Sequence, residues 1–381
     1  MRLFFTSTEF IWKGVTRERV PFLCDAQMEL VDAPNEYLLY VASIRGRTRS
    51  PRTWETYGNH LYEFFSFVEV NGMAWNDMDQ ACLAAWRDSM LDRGCVRSTV
   101  NQRLRCVCAF YEWAFRSNYT SQNPFSKEDV WVNKGQNFFA HVDASGNRFS
   151  ANELTVQTHK SLPKFLILDK AISFLEHARP HGLKLMGYLA LLVGMRREEI
   201  VALDYRVLPN PAGHDSGKLL PMILDSKITP TKGNKTRTVM LPYDLAVALW
   251  DYFSTVWPKL NRMHILKFRQ ESTRVFLSKY GEELSNRYLN NAFRKISKNS
   301  GINCHPHMLR HTYGTYEFLR MNRTYGQTQA LLWVRDRMGH SSIRTTEVYV
   351  HAADLILNTA VDDYQLEVLE NLSNGVTKAK N

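Results

Sequence analysis

The chain has few cysteines, and their spacing excludes two common uses of that residue. Six cysteines occur among 381 residues, and no two form a Cys-x-x-Cys pair. Cys106 and Cys108 are separated by one residue, so on a helix their side chains point in different directions. We therefore expect reduced thiols, with neither a disulfide framework nor a metal site built on cysteine.

Long apolar runs and targeting segments are also missing. No stretch approaches about 20 apolar residues, the length of a membrane-spanning helix. The apolar N-terminus is interrupted by Glu9 and leads to no small-residue cleavage site, which argues against a signal peptide. A soluble, cytoplasmic protein is expected.

Positive charge, by contrast, is in excess. The 48 lysines and arginines outnumber the 38 acidic residues, which gives a formal net charge of +10. Lysine and arginine neutralise phosphates and release counterions, so the excess favours a polyanionic partner, although a merely basic soluble protein is an open alternative. A hydrophobic content of 44% in a chain of this length supports two cores and therefore two domains.

Helical periodicity predicts a helical bundle over residues 33–124, with aromatic and aliphatic stripes as its core. Residues 1–32 are expected to form an N-terminal arm. Periodicity fades over residues 125–162, where Asn, Gly, Ser and Lys are frequent, and this stretch is expected to be an extended linker.

The bundle carries basic residues away from its predicted core. A basic turn just before one helix reads Arg45-Gly46-Arg47-Thr48-Arg49-Ser50-Pro51-Arg52, and Arg97 lies beside the start of another helix. For the turn, a solvated loop and a set of phosphate contacts at a helix N-terminus are equally open interpretations.

The second domain is expected over residues 163–370, with a loose tail at 371–381. Strand-like segments at 219–224 and 236–241 flank a polar turn and predict a hairpin, with a further strand-like piece at 226–229. Helices are predicted at 169–178, 183–193, 243–256, 286–300 and 352–369.

Two short motifs place arginines where they can bind an anion. In Gly194-Met195-Arg196-Arg197-Glu198-Glu199, Arg196 projects from a helix start, and Glu199, three residues on, can orient it. In His307-Met308-Leu309-Arg310-His311, His307 and Arg310 share one helix face, and a guanidinium grips two oxygens of a phosphate. Each motif alone is a weak signal, and an exposed helix-start arginine is the plainer interpretation of the first.

A lysine, a histidine and a tyrosine complete the set. Lys232 in the hairpin turn can donate a proton, although such a lysine is usually a solvated surface residue. A Gly339-His340-Ser341-Ser342 turn is followed by Tyr349, nine residues after His340. That tyrosine is either a nucleophile or a packed side chain between two valines.

In this order, over residues 162–369, the motifs resemble the tyrosine recombinase (phage integrase) family. They are similar to its first arginine box, its catalytic lysine hairpin, its His-x-x-Arg box, and its final histidine and nucleophile. The bundle at 33–124 is similar to the family's core-binding domain on architecture alone. The implied fold is mainly α with a small β-sheet or hairpin: a helical core-binding domain and an α+β catalytic domain that together clamp DNA. One departure, a longer segment at Asn322–Arg337, is expected to be an enlarged loop.

The resemblance implies a site-specific DNA recombinase or integrase, associated with a mobile genetic element, that works without metal, ATP or another cofactor. Integration, excision and dimer resolution are all open as its task. Tyr349 would attack a scissile phosphate and form a 3′-phosphotyrosine. His307 would accept its proton, Arg196 and Arg310 would hold the phosphate oxygens, and Lys232 would protonate the leaving 5′-oxygen.

Other residues take lesser parts in this scheme. His340 would position the phosphate, with Glu199 as a supporting residue. Lys232 is preferred to Lys235 because it directly precedes the Gly-Asn turn. Three further histidines are expected to be structural or peripheral: His305, His311 and His351.

The implied partner is double-stranded DNA, bound by a homotetramer with accessory DNA-bending or directionality factors, at the nucleoid of a bacterial cytoplasm. The predicted phosphate contacts are Arg45, Arg47, Arg49, Arg52, Arg97, Lys235 and Arg237. Two alternatives remain: a type IB topoisomerase or telomere-resolvase-like enzyme with the same chemistry, and a non-catalytic DNA-binding accessory protein.

Overall fold

The computed structural model describes residues 1–46, 50–125, 127–131, 148–158, 163–229, 231, 235–340 and 342–357. These residues divide between two compact units, Met1–Lys160 and Ser161–Asn381. Each unit has its own hydrophobic core. As predicted, both are mainly helical, and the second carries a small antiparallel sheet. The first unit also carries small antiparallel sheets, which were not predicted.

The first unit is built on four helices: α1 (Asp32–Ser43), α2 (Pro51–Val70), α3 (Gln80–Asp92) and α4 (Arg97–Arg116). Proline at the first turn of α2 costs no hydrogen bond, and the Asp79 carboxylate caps α3 by accepting from the Cys82 N–H at 2.7 Å. The predicted aromatic core is confirmed, since its largest side chains are fully buried: Trp86, Tyr37, Tyr111, Phe64, Phe65 and Phe110.

Residues 1–32, expected as an arm, pack onto this bundle. Strand β1 (Arg2–Phe5) pairs with β4 (Pro21–Cys24), and β2 (Ile11–Trp12) pairs with β3 (Val15–Thr16). Leu23 is fully buried in the core, and the Asn35 side-chain amide hydrogen-bonds both its N–H and its carbonyl. The N-terminal strands are therefore part of the first unit.

The described part of the expected linker also contains structure. Strand β5 (Lys127–Trp131) pairs antiparallel with β6 (Arg148–Asn152). The Asn101 amide of α4 bonds the Val156 carbonyl at 2.7 Å and its N–H at 2.9 Å, and Leu154 is buried in the core. Asn101 is itself buried, so these bonds satisfy polar groups that burial would otherwise leave without a hydrogen-bond partner.

The second unit surrounds one hairpin with helices. Strands β7 (Leu219–Leu224) and β8 (Arg237–Pro242) pair antiparallel, with Leu224 opposite Arg237. The helices are α5 (Leu168–Glu176), α6 (His181–Leu192), α7 (Arg197–Val201), α8 (Tyr243–Thr255), α9 (Trp257–Phe268), α10 (Asn286–Ser300), α11 (Pro306–Tyr325), α12 (Gln327–Met338) and α13, residues 348–357. No described helix is long and apolar enough to cross a membrane.

The prediction of an enlarged loop at Asn322–Arg337 is wrong. Helix α11 continues to Tyr325, Gly326 turns the chain at a φ of 79°, and α12 follows at once. Glycine adopts that φ without a steric penalty, and α12 then buries an apolar face through Ala330, Leu331 and Val334. The extra length is a helix packed against α11.

Two smaller expectations also differ from the structure. Residues 226–229 form a turn in which the N–H groups of Ile228 and Thr229 bond the Asp225 carbonyl, so they are not a strand. The helix predicted at 352–369 begins earlier, at residue 348, and the part beyond 357 lies outside the described residues.

Candidate active site

Three guanidinium groups converge on one backbone carbonyl, that of Met338 at the end of α12. Its oxygen accepts hydrogen bonds from Arg196 at 3.0 Å, Arg237 at 3.1 Å and Arg310 at 2.5 Å. The last carbonyls of a helix have no intrahelical partner and carry partial negative charge. The end of α12 therefore holds this arginine cluster (Arg196, Arg237 and Arg310) together.

Glu199, whose side chain is fully buried, supplies the negative charge of the arginine cluster. Its Oε1 accepts from Arg196 Nη1 at 3.0 Å, and its Oε2 accepts from the Arg196 N–H and from Arg237 Nη2, both at 2.7 Å. The orienting role predicted for Glu199 matches this geometry. Among the described residues, Glu199 is the one carboxylate hydrogen-bonded to the cluster. The three guanidinium groups carry three positive charges and Glu199 carries one negative charge, so the cluster has two positive charges in excess.

Arg310 is the most deeply placed cation, with 2% of its surface exposed. Its guanidinium donates to the carbonyls of Gly194 and Met338. Burial and the charges of Arg196 and Arg237 lower the pKa of Arg310 to about 9, which still leaves it protonated at neutral pH. The structure therefore brings the two sequence-predicted phosphate-binding arginines, Arg196 and Arg310, to the same carbonyl oxygen.

Arg237 does not occupy the surface position expected of a DNA contact. Its side chain is 8% exposed and is held by Glu199 and Met338. The position follows from the alternation of β8, because Arg237 lies on the same face as the buried Val239 and Leu241. That two-residue spacing is present in the sequence and indicates an inward side chain.

Tyr349 is fully buried between two histidines. The His340 ring stacks on it at 10° with ring centroids 6.1 Å apart, and His311 Nδ1 lies 3.1 Å from the phenol oxygen. His340 Nδ1 is also 3.0 Å from Thr346 Oγ1, which fixes the imidazole's orientation. His311, expected to be structural or peripheral, is therefore in contact with the predicted nucleophile.

A glycine makes room for this tyrosine. A Cβ atom added to Gly314 on α11 would lie 2.6 Å from the Tyr349 ring. Gly314 is three residues after His311, so both lie on the helix face that the ring covers. The sequence offered this spacing, His311-x-x-Gly314, but nothing in it indicates what the two residues contact.

Burial and positive charge set the protonation states of the site. Burial raises the pKa of Tyr349 well above its usual value, and the charges of Arg310 and Arg196 oppose that rise. Burial, followed by the nearby arginines, lowers the pKa of His340 to about 3. Burial, His307 and Arg310 lower the pKa of His311 to about 4. At neutral pH the phenol is protonated and both imidazoles are neutral.

His307 lies one helical turn before His311 on the same face of α11, and it is exposed to solvent. Its ring meets that of His311 edge-on, with centroids 5.2 Å apart. Burial and Arg310 lower the pKa of His307. His307 and Tyr349 are thus both in ring contact with His311.

The remaining predicted residues are divided between described and undescribed parts of the chain. Lys232, Arg47 and Arg49 lie outside the described residues. Arg52 and Lys235 are exposed, Arg97 is exposed and donates to the Gln157 carbonyl at 3.2 Å, and Arg45 donates to the Tyr57 hydroxyl at 3.3 Å. Among the described residues, no group of three or more His, Cys, Asp or Glu is placed to hold a metal ion.

Comparison with known proteins agrees with this arrangement. The model of the Phage integrase family matches residues 168–355, and that of the Phage integrase N-terminal SAM-like domain matches residues 35–118. The chain is 22% identical to tyrosine recombinase XerC of Bacillus subtilis, covering 81% of this chain and 89% of that protein. It is 25% identical to transposase A of transposon Tn554 of Staphylococcus aureus, covering 90% of this chain and 93% of that protein.

Solved structures share the fold. XerH site-specific recombinase bound to palindromic difH substrate aligns with a TM-score of 0.57 at 18% identity, covering 88% of this chain and 85% of that one. A lambda integrase dimer bound to a COC′ core site aligns with a TM-score of 0.54 at 14% identity, covering 82% and 92%.

The N-terminal domain model matches the first unit and the integrase model matches the second. The chain belongs to the phage integrase family of tyrosine recombinases. The predicted fold class is confirmed, as is the predicted enzyme class, a recombinase that cleaves and rejoins DNA. The matches do not favour a topoisomerase, a telomere resolvase or a non-catalytic accessory protein.

Proposed function

We propose that this protein breaks and rejoins double-stranded DNA at specific sites through a covalent 3′-phosphotyrosine on Tyr349. The observation that carries the proposal is the arginine cluster with two uncompensated positive charges beside a buried tyrosine. Phosphoryl transfer needs fixed positive charge where negative charge develops, and a nucleophile held in place.

The reaction assigns a task to each side chain. The Tyr349 oxygen attacks phosphorus, the bond to the 5′-oxygen breaks, and the 5′-oxygen takes a proton from Lys232. Arg196 and Arg310 hold the non-bridging oxygens, because each guanidinium has five donors and only some are used on backbone carbonyls and, for Arg196, on the Glu199 carboxylate. His340 positions the phosphate, and the sequence assigns the phenolic proton to His307.

The phosphotyrosine conserves the energy of the broken phosphodiester. A 5′-hydroxyl from another strand can therefore reseal the DNA without ATP, and the phenol is released. In the described arrangement Tyr349 is fully buried, so the side chains that cover it from solvent must move aside before a phosphate reaches its oxygen.

Strand exchange between two duplex sites needs one nucleophile per strand, and we therefore propose a homotetramer on DNA, with accessory factors that bend DNA or set direction. A similarity to a transposon's transposase over nine-tenths of the chain supports service to a mobile element. We place this activity at the nucleoid, in the cytoplasm of a bacterium, because that is where bacterial DNA lies. The expected phosphate contacts Arg45, Arg52, Arg97 and Lys235 stay predictions, as do Arg47 and Arg49.

The test is a suicide substrate cut from the DNA that flanks the gene, nicked near the cleavage point so that resealing fails. Incubation with EDTA and without ATP, followed by a denaturing gel, is expected to show a covalent protein–DNA adduct for wild type and none for Tyr349→Phe. Tight DNA binding without any adduct would contradict the proposal.

A further inference from the structure

We propose that His311, and not His307, takes the proton from Tyr349 during cleavage. This inference rests on the proposed function, since it concerns the nucleophile named there. It assigns a catalytic part to a histidine that the sequence motifs leave without one.

The geometry places His311 at the reacting atom. Its Nδ1 is 3.1 Å from the phenol oxygen, within the reach that a general base requires. Among the described residues, His311 is the side chain for which the structure gives a hydrogen bond to that oxygen. His340 contacts the tyrosine through its ring face and directs its Nδ1 at Thr346.

His307 is placed differently. Its residue is exposed, whereas Tyr349 is fully buried, and its recorded ring contact is with His311. His311 therefore lies between the solvent-facing imidazole and the phenol.

The contact is built into α11. Gly314, three residues after His311, leaves the space in which the Tyr349 ring lies, and any side chain there would meet the ring. The Thr315 hydroxyl donates to the His311 carbonyl at 2.9 Å, which adds a bond to this turn of the helix. His311 and Gly314 together form the part of the α11 surface against which the Tyr349 ring packs.

The protonation state suits an acceptor. Burial, His307 and Arg310 keep the pKa of His311 low, so its ring is neutral at neutral pH. A protonated phenol donates, so Nδ1 accepts and the ring proton resides on Nε2. An incoming phosphodiester brings negative charge, which favours imidazolium and strengthens His311 as a base when the substrate is bound.

The proton and bond changes balance. The phenolic O–H breaks and an N–H forms on His311 Nδ1, while the oxygen bonds to phosphorus and the bond to the 5′-oxygen breaks. Lys232 protonates that 5′-oxygen. On rejoining, a 5′-hydroxyl gives its proton to the neutral Lys232 and attacks the phosphotyrosine, and the departing phenolate recovers its proton from His311.

The test measures single-turnover adduct formation on the suicide substrate in the full-length protein. His311→Asn keeps an acceptor near the Nδ1 position but cannot take a proton, and His307→Asn is the matched variant. Each is made with tyrosine or with difluorotyrosine at position 349, because the fluorinated phenol is more acidic and needs a base less. DNA binding is measured in parallel.

H311N is expected to slow cleavage by about 100-fold to 10,000-fold with unchanged DNA binding, which is the range for removal of a general base. Difluorotyrosine is expected to restore at least about 10-fold of that loss, and it is expected to restore less in H307N. A merely structural His311 would give a loss that the fluorinated phenol does not relieve.

The inference would be overturned if H311N cleaved DNA at a rate within about threefold of wild type. It would also be overturned if difluorotyrosine restored cleavage only in H307N. Either result would leave the proposed function intact. An absent adduct in wild type would instead remove the proposed function itself. If H311N unfolds at the assay temperature, His311→Ala with added imidazole replaces it. Restoration by imidazole then supports the assignment and its failure rejects it.

Discussion

Glu199 and Arg237 form a buried ion pair in which Oε2 and Nη2 are 2.7 Å apart. The pair joins the second strand of the hairpin to the first arginine motif, because Glu199 also holds Arg196 through two hydrogen bonds. Arg237 further donates to the Met338 carbonyl that Arg310 shares. Arg237 thus contacts the same two anchors as Arg196, and one of them, the Met338 carbonyl, also binds Arg310.

Removal of Arg237 is expected to destabilise the protein and to slow cleavage. Arg237→Ala leaves a buried carboxylate short of a partner, which costs about 3–5 kcal/mol of unfolding free energy. Arg237→Lys keeps the charge but cannot reach both Glu199 and Met338 as the guanidinium does, so an intermediate loss is expected.

The control for Arg237 is the exposed Lys235 in the same segment. Lys235→Ala is expected to change stability by less than about 0.5 kcal/mol. Urea unfolding of the three variants, with adduct rates on the suicide substrate, checks this. Equal stability of R237A and K235A would contradict the role given to the ion pair.

The arginine cluster is expected to bind inorganic phosphate without DNA. Two positive charges are uncompensated there, and an anion that binds only the folded state raises the melting temperature as its concentration rises. Arg196→Ala is expected to lose most of the rise, whereas Arg52→Ala, at an exposed position in the other unit, is expected to keep it. A rise of the same size in both variants would show that phosphate acts elsewhere.

Gly314 is expected to tolerate no side chain. In Gly314→Ala the new Cβ would lie 2.6 Å from the Tyr349 ring, so the ring or the helix must move. Overpacking of this kind costs about 1–3 kcal/mol, and displacement of the nucleophile is expected to lower the rate of adduct formation. Gly46→Ala is the control because a Cβ there meets nothing within 4 Å. A G314A protein with wild-type stability and rate would contradict the packing.

Stability is expected to fall as the pH drops from 7 towards 4. The folded-state pKa values of His311 and His340, about 4 and about 3, lie below the usual value of 6.5. Between those limits the unfolded chain binds protons that the folded chain does not, so stability rises with pH. Each group contributes at most about 1.4 kcal/mol per pH unit.

Urea unfolding at pH 7.5 and pH 5.0 checks the sign of this effect. His311→Asn is expected to lose less stability over the interval than wild type. His351→Asn, at an exposed position, is expected to behave as wild type does. An identical pH dependence in H311N and wild type would show that His311 is not a source of the effect.

The sequence predicted the helices and the hairpin because their signals are local. Apolar residues at helical spacing mark α2 and α4, and two β-favouring runs around a polar turn mark β7 and β8. The motif order was sufficient to bring Arg196, Arg310, His340 and Tyr349 together as candidates. The hydrogen bonds that Arg196 and Arg310 both make to the Met338 carbonyl were not predictable, because backbone groups carry no residue-specific signal.

Three features of the structure were not predicted. The segment Asn322–Arg337 was expected to be a loop because its length departs from the resemblance, yet α12 buries Ala330 and Val334 at helical spacing. Arg237 was predicted as a phosphate contact of bound DNA, although its two-residue spacing from Val239 and Leu241 in β8 indicates an inward side chain. His311 gave no sign of its role, because its partner Tyr349 is 38 residues away in the chain.

The most direct test of the account is to identify the amino acid that carries the DNA. The wild-type adduct, trimmed with nuclease and protease, would be sequenced by tandem mass spectrometry to locate the residual 3′-linked nucleotide. We expect the nucleotide on Tyr349, with a free 5′-hydroxyl on the released strand. A nucleotide on another residue, or a 5′-phosphate linkage to the protein, would contradict it.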